Sequence, residues 1–320
     1  WRPQRLLCPP RRSIRRCRDH VARDRYIGGM SRLRAAAVLA GFMGLTLPLM
    51  PVQAILLRVS RPAARRFPHW YHRNLCRILG VRLHIEGQVR RDAPVLLVSN
   101  HTSWLDIPVL SAVAPVSFVA KSEVGRWPFV SALARLQRTV FVDRSRRVAV
   151  GETANEMSER LAQGDALVLF AEGTSTDGNR VLPFKSSLFA AAKPASPSAA
   201  SDASVVVQTV SIIYSRLYGV PLGRADRPIV GWYGDMDMPS HAWELLKAGP
   251  LDVVIRVGPP VPLTEYSGRK ELADKTEAAV REHVVRTLRA RPPSEPVALA
   301  EQRRPAARMI PSKLVSETFR

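Results

Sequence analysis

From residue 81 to residue 290 the chain alternates short apolar runs of strand length with longer amphipathic runs of helical length. Strands that alternate with helices predict an α/β fold with a mostly parallel central sheet flanked by helices. In such a sheet the functional site lies at the carboxyl ends of the strands. The predicted strands include VRLHIEG, APVLLVSN, VSFVAK, TVFVDR, DALVLFAEGTS, VVVQTVSIIY, PIVGWYG (228–234) and LDVVIRVGPPV.

A run of 23 uncharged residues, 35–57, precedes this alternating region. A helix that crosses a bilayer needs about 20 such residues, so we predict a membrane-associated segment. Pro48 and Pro51 favour a kinked single span or a helical hairpin that enters one leaflet with both ends in the cytoplasm. Arginines flank the run on both sides and therefore do not decide its orientation. A buried core helix is the alternative.

The positive charge of the chain is concentrated beside this apolar run. Residues 1–91 hold 20 Lys and Arg against 3 Asp and Glu, whereas residues 92–290 hold 22 against 21. The body is thus nearly neutral although the whole chain carries a formal charge of +21. A basic segment next to an apolar one is typical of contact with an anionic membrane surface, and it argues against nucleic-acid binding.

Four segments follow from these patterns. Residues 1–34 form a basic N-terminal segment, and the sequence MSRLRAAAVLAG from Met30 predicts that 1–29 lie outside the mature protein. Residues 35–57 are the membrane-associated segment, 58–290 the catalytic domain, and 291–320 a Pro-rich tail predicted to be disordered. The three cysteines have neither metal-ligand spacing nor a disulfide pattern, so we expect no metal site.

The first polar turn, NHTSWLD, follows the apolar run VLLVS and contains His101 and Asp106. On a continuous helix two residues five apart point about 140° away from each other, so they would not share a face. A turn at His101, with a helix that begins near Ser103, would bring the Asp106 carboxylate back to the imidazole. A carboxylate in that position orients a histidine and makes it a better base. The alternative is that Asp106 only stabilises the start of the helix.

The second polar turn, FAEGTSTDGNRVLPFK, also follows a predicted strand. Gly173 allows close backbone approach, and the residues beside it are Glu172, Thr174 and Ser175. Arg180 and Lys185 offer positive charge for an anion. An ordinary turn at Asp177–Gly178 is the alternative, but the carboxyl ends of two strands in one sheet predict a shared site.

NHTSWLD, VFVDR and FAEGT with LPFK together resemble the three motifs of the lysophospholipid acyltransferases, in that family's order and spacing. The resemblance implies that His101 removes the proton from a lysolipid hydroxyl, which attacks an acyl thioester, and that Asp106 orients His101. It also implies that Arg144 and the Glu172–Gly173–Thr174 turn hold the acceptor. The donor would be a thioester of acyl carrier protein or coenzyme A, without metal or cofactor. The enzyme would act on membrane lipids at the cytoplasmic face of the inner membrane.

One residue departs from the pattern of the phosphatidate-forming members, which read Glu-Gly-Thr-Arg where this chain has Ser175. Arg180 lies five residues further on and is not an equivalent replacement. TSTDGNRVLPFKSSLF and WYGDMDM resemble the branch that acylates lyso-ornithine lipid. The expected acceptor is therefore 1-acylglycerol-3-phosphate or lyso-ornithine lipid. Two other functions remain open, a basic membrane-binding protein without catalysis and a lipid hydrolase.

Overall fold

The computed structural model describes residues 14–142, 147–192 and 205–289, with side chains for 31–142, 155–189 and 205–289. The predictions for residues 1–13, for the tail after residue 290 and for Arg144 lie outside the described residues. The domain boundaries therefore stay predictions.

Within the described ranges, nine strands form one sheet. The strands are β1 (Val81–Glu86), β2 (Val95–Ser99), β3 (Ser117–Lys121), β4 (Val140–Val142), β5 (Ala166–Phe170), β6 (Val206–Leu217), β7 (Val220–Pro221), β8 (Leu251–Val257) and β9 (Val261–Pro262). Seven of them lie in the order β1-β8-β6-β2-β5-β3-β4, and β7 and β9 pair with β6. Neighbours from β6 to β4 are parallel, as are β1 and β8, whereas β6 is antiparallel to β8, β7 and β9. The predicted α/β fold with a mostly parallel sheet is confirmed.

Helices cover both faces of the sheet and bury it in two hydrophobic clusters. The helices are α1 (Ile14–Val59), α2 (Arg61–Leu79), α3 (Asp106–Val113), α4 (Pro128–Leu136), α5 (Arg147–Ala162), α6 (Met238–Ala248) and α7 (Arg269–Arg289). Leu97 of β2 joins the cluster of α2 and α3, whereas Leu96 and Val98 join the cluster of α5 and α7. Every residue of β2 is buried, as expected for a central strand with helices on both faces.

The register of the sheet aligns the two polar turns. Strands β2 and β5 are parallel, with Ser99 opposite Phe170. His101 and Glu172 each follow two residues after those partners, so both lie at the same edge of the sheet. The parallel pairing of β2 with β5 therefore brings the two polar turns together, as was predicted from the two strand ends.

Helix α1 continues without a break through the apolar run and through Pro48 and Pro51. Residues Ser31–Val59 are long and apolar enough to cross a membrane, with a mean hydropathy of 1.8. In the most apolar stretch of this segment only 11% of the residues are buried inside the protein, which does not fit a buried core helix. The chain reverses at Ser60, where α2 begins, so the apolar run itself does not form a hairpin.

One side of the segment Ser31–Val59 of α1 is attached to the body. Near the start of this segment, Arg34 Nη1 donates to Leu246 O of α6 at 2.5 Å. In the middle, Thr46 Oγ1 lies 2.6 Å from the Tyr71 hydroxyl of α2. Near its end, Gln53 Nε2 donates to two backbone carbonyls of neighbouring elements, each at 2.9 Å. The opposite side exposes large apolar side chains, among them Leu33, Leu47, Ile55 and Val59.

The prediction of a strand at residues 228–234 is wrong. This segment is a short 3-10 helix, Arg227–Ile229, followed by a loop. A Cβ atom at Gly231 would lie 2.8 Å from Thr176 O, so the chain passes too close to the second polar turn for a larger residue. Helices α2 and α6 lie in segments for which no element was predicted.

We predict that the exposed side of α1 binds the membrane. The double variant Leu47→Lys/Ile55→Lys should keep its fold, because both side chains are more than half exposed. It should bind vesicles at least about ten-fold more weakly, since each apolar side chain contributes about 1.5–3 kcal/mol on full transfer from water. Sedimentation with vesicles measures this. Val285→Lys on α7, also exposed, is the control, and unchanged binding of the double variant would contradict the assignment.

Candidate active site

The Asp106 carboxylate is the centre of the first polar turn. It is fully buried and accepts four hydrogen bonds. Oδ2 accepts from Thr102 N at 2.7 Å, from Ser103 N at 3.0 Å and from the His101 ring at 2.8 Å. Oδ1 accepts from the Tyr214 hydroxyl at 2.7 Å. The carboxylate therefore holds the turn in shape and orients the imidazole.

The Nδ1 atom of His101 is hydrogen-bonded to Asp106, whereas Nε2 makes no hydrogen bond within the part of the chain that the structure describes. The bond from Nδ1 to Asp106 favours the tautomer with the proton on Nδ1, which leaves Nε2 as the basic nitrogen. The ring stacks on Phe170, with centroids 4.1 Å apart and planes 19° apart. Its side chain is 19% exposed, so a substrate can reach it. The contact between His101 and Asp106 was predicted, but α3 begins at Asp106 itself and not near Ser103.

Tyr214 was not identified from the sequence. It lies on β6, four residues beyond Val210, which pairs with Ser99. Burial raises the pKa of the Tyr214 hydroxyl well above 10, and the nearby Asp106 charge raises it further. The hydroxyl therefore stays protonated and donates to Asp106. Its place beyond the end of a neighbouring parallel strand is the signal that could have identified it.

Glu172 connects the second turn to the first. Its Oε1 accepts from His101 N and its Oε2 from Leu182 N, both at 3.0 Å. The side chain is 1% exposed. Burial raises the pKa of Glu172 to about 7, although the two amide hydrogen bonds lower it. Glu172 thus holds the backbone of the first polar turn, and both of its carboxylate oxygens accept hydrogen bonds from backbone amides.

The rest of the second turn lies against the first. Gly173 has a φ of 72°, a conformation that glycine adopts without strain. Thr176 N donates to His101 O at 3.0 Å. The Ser175 hydroxyl donates to Trp232 O, in the loop that was predicted to be a strand. Thr174 is exposed at the surface of the turn.

The two predicted cations, Arg180 and Lys185, are not bonded to His101 in the described part of the chain. Arg180 is exposed and lines a cavity of about 10 Å³ together with Thr102 and Tyr214. Lys185 is exposed, and its backbone N donates to Ala171 O at 2.9 Å. Neither side chain makes a hydrogen bond or ion pair with another described residue. The roles assigned to these residues stay predictions.

Comparison with known proteins identifies the family. The family model described as "Acyltransferase" matches residues 80–213, which include both polar turns. The lyso-ornithine lipid O-acyltransferase of Brucella abortus (strain 2308) is 47% identical over 249 residues, which cover 78% of this chain and 93% of that protein. The chain belongs to this acyltransferase family. The lyso-ornithine lipid O-acyltransferase of Rhizobium meliloti (strain 1021) is 42% identical over 246 residues, or 77% of this chain and 84% of that protein.

The fold agrees with this membership. The crystal structure of the 1-acyl-sn-glycerophosphate (LPA) acyltransferase PlsC from Thermotoga maritima matches with a TM-score of 0.59 and 22% identity. The match covers 82% of this chain and 97% of that one. The protein is therefore an acyltransferase that acts on membrane lipids, and a basic binding protein without catalysis is excluded as its class. Together with α1, the family indicates membrane association.

We predict that Tyr214→Phe weakens the acyltransferase without abolishing it. The change removes one of the four hydrogen bonds to Asp106. A hydrogen bond to a charged group contributes about 1.5–3 kcal/mol, so we expect that loss in unfolding free energy and a roughly ten-fold lower kcat. Chemical denaturation and initial rates measure the two effects. Unchanged values for both would show that Tyr214 does not support Asp106.

Asp106→Asn should have a larger effect on rate. An amide nitrogen would face hydrogen-bond donors, and the imidazole would lose its orienting group. General-base catalysis contributes about 10²–10⁴-fold, so kcat should fall by a large part of that factor. A rate equal to that of the original protein, in a variant with unchanged circular dichroism, would leave Asp106 only its role at the start of α3.

We predict that the free energy of unfolding depends on pH because of Glu172. Because its pKa is about 7 in the folded protein against an ordinary 4.5, the folded form holds a proton that the unfolded form releases between these values. Unfolding free energy should thus fall as pH rises from about 4.5 to 7, by an amount on the order of 3 kcal/mol. Glu172→Gln should flatten this slope in urea titrations. The exposed Glu159→Gln is the control, and an equal slope in all three proteins would contradict the assignment.

Proposed function

We propose that this acyltransferase esterifies the free hydroxyl of a lyso-ornithine lipid with a fatty acyl group from an acyl thioester, giving ornithine lipid. The hydrogen bond of 2.8 Å between His101 Nδ1 and Asp106 carries the proposal, because it supplies an oriented base at the edge of the sheet. The names of the two relatives described above support the choice of acceptor.

The proposed reaction is a direct transfer. His101 Nε2 takes the proton of the lysolipid hydroxyl while the hydroxyl oxygen attacks the thioester carbonyl carbon. The C–S bond of the resulting tetrahedral intermediate then breaks, and the departing sulfur takes the proton from the imidazolium. The products are an ester and a free thiol, and no acyl-enzyme forms. The proposed step uses a thioester of acyl carrier protein or coenzyme A as co-substrate, without metal or cofactor.

Ser175 supports lyso-ornithine lipid over 1-acylglycerol-3-phosphate as the acceptor. Phosphatidate-forming enzymes of the family place an arginine at this position, where it can bind a phosphate. Here the hydroxyl donates to Trp232 O, so position 175 holds a neighbouring loop instead of presenting a charge. The hydrolase alternative requires water to replace the lipid hydroxyl, and no observation favours it.

Two aromatic contacts lie between α1 and this site. The ring of Phe42 on α1 meets Phe129 edge-on, with centroids 6.3 Å apart. Trp127, two residues before Phe129, meets Trp232 edge-on at 6.1 Å. Tryptophan favours the interface between lipid and water, so these contacts support a site that opens toward the membrane surface. We propose that this site lies on the cytoplasmic face of the inner membrane, because acyl thioesters are made in the cytoplasm.

The test is an acyl-transfer assay with membranes that contain the full chain. The donors are labelled palmitoyl-acyl carrier protein and palmitoyl-coenzyme A, tested separately. The acceptors are lyso-ornithine lipid and 1-acylglycerol-3-phosphate, in competition. We expect label in ornithine lipid, and we expect His101→Ala to abolish it.

The possible products separate the alternatives. Label in phosphatidate alone would replace the proposed acceptor with the phosphate-bearing one. Labelled free fatty acid that requires His101 would indicate hydrolysis. Equal transfer by the original protein and by a correctly folded His101→Ala variant would exclude His101 as the base. Comparison of the two donors identifies the one that the enzyme uses.

A further inference from the structure

The loop of residues 231–236, here called the acceptor loop, is joined to both catalytic turns. Trp232 N donates to Thr102 O at 2.9 Å, next to His101. Trp232 O accepts from the Ser175 hydroxyl in the second turn. Gly231 passes so close to the second turn that an added Cβ atom would lie 2.8 Å from Thr176 O. The acceptor loop is therefore a third wall of the site.

The far end of the acceptor loop is also held in place. Trp232 Nε1 donates to Met236 O at 2.8 Å, which closes the loop on itself. Helix α6 follows directly, and its His241 accepts a hydrogen bond of 3.1 Å from Trp104 Nε1 in the first turn. Since three residues span at most about 11 Å, Asp235 remains near Trp232 and the opening of the site.

The acceptor loop and the residue after it carry two acidic side chains with different surroundings. Asp237 accepts from Ser240 N at 3.0 Å and caps helix α6. Asp235 is exposed and makes no hydrogen bond or ion pair with any residue that the structure describes. Its carboxylate is therefore available to a ligand, whereas that of Asp237 has a structural role.

A cation lies on the other wall. Arg180 is exposed and makes no hydrogen bond or ion pair with a described residue, although its charge is close enough to act on the Asp177 carboxylate. It follows Gly178, at which a Cβ atom would lie 3.2 Å from Thr102 Cγ2. Asp235 and Arg180 thus lie on two segments that both contact Thr102, the residue next to His101. A headgroup that carries only negative charge would be repelled by Asp235. A headgroup with one positive and one negative charge would match Asp235 and Arg180.

We propose that Asp235 and Arg180 together select a zwitterionic acceptor, Asp235 binding the side-chain ammonium and Arg180 the carboxylate of an ornithine headgroup. This inference rests on the proposed function and deepens it. The Ser175–Trp232 hydrogen bond holds the acceptor loop in position. An arginine at 175 would lose this bond and place a second cation near the ammonium group.

The experiment compares two acceptors in membranes that contain the full chain. One is lyso-ornithine lipid, and the other is the same lipid with its side-chain amine acetylated, which removes the positive charge. The original protein should use the acetylated lipid with roughly ten-fold lower kcat/KM, the size expected for one charge-assisted hydrogen bond. Asp235→Asn should lose about the same factor on the natural lipid and should no longer distinguish the two lipids.

Arg180→Gln tests the opposite charge. It should lower kcat/KM for both lipids by a similar factor, because both keep the carboxylate. Asp274→Asn and Lys270→Gln change exposed charges on α7 and serve as matched controls that should leave all rates unchanged. Ser175→Arg should lower the rate with lyso-ornithine lipid and raise the ratio of activity with 1-acylglycerol-3-phosphate to activity with lyso-ornithine lipid.

The outcomes separate this inference from the proposed function. If lyso-ornithine lipid is acylated but Asp235→Asn still prefers the free amine as strongly as the original protein, the assignment of Asp235 is wrong and the proposed function stands. An Arg180→Gln variant with unchanged kcat/KM would exclude Arg180. If neither ornithine lipid is acylated by the original protein, the proposed function fails, and this inference fails with it.

Discussion

The site depends on the buried carboxylate of Asp106. Its two oxygens accept from two backbone amides, a histidine ring and a tyrosine hydroxyl, so four donors surround a group that has no access to water. A buried charge is tolerated only where such partners replace the lost hydration. The same contacts that make burial possible also determine the shape of the turn and the orientation of His101. Stability and catalytic geometry therefore come from the same set of hydrogen bonds.

The sheet brings the remaining groups to this carboxylate. Parallel pairing of β2 with β5 aligns the two strand ends that supply His101 and Glu172, and β6, which is parallel to β2 and extends beyond its end, supplies Tyr214. The turns then bind one another through backbone groups, as in the bond from Thr176 N to His101 O. Since every residue of β2 is buried, the position of His101 is determined by the packed centre of the domain. The loop at Trp232 adds a third wall.

The parts of this site that could be predicted are those with local signals. His101, Asp106 and Glu172 follow apolar runs within a few residues, and alternation of strands and helices places such residues at one edge of a sheet. Tyr214 and Trp232 were not assigned, because their contacts with the two turns depend on tertiary packing. The segment around Trp232 has the composition of a strand, yet the close approach of Gly231 to the second turn makes it a loop. Helix α2 was not predicted because its sequence contains many arginines. Its apolar side becomes evident only from its packing against α1 and α3.

The attachment of α1 has a consequence for the position of the reaction along the lipid. Because the apolar part of α1 is bonded to the body near its start, middle and end, the domain cannot tilt freely on this helix. If α1 binds the membrane as predicted, the height of His101 above the lipid chains would be nearly constant. Under the proposed mechanism a hydroxyl would have to reach that height to lose its proton, whatever headgroup it carries. The fold would then discriminate among acceptors by the depth of the hydroxyl in the bilayer.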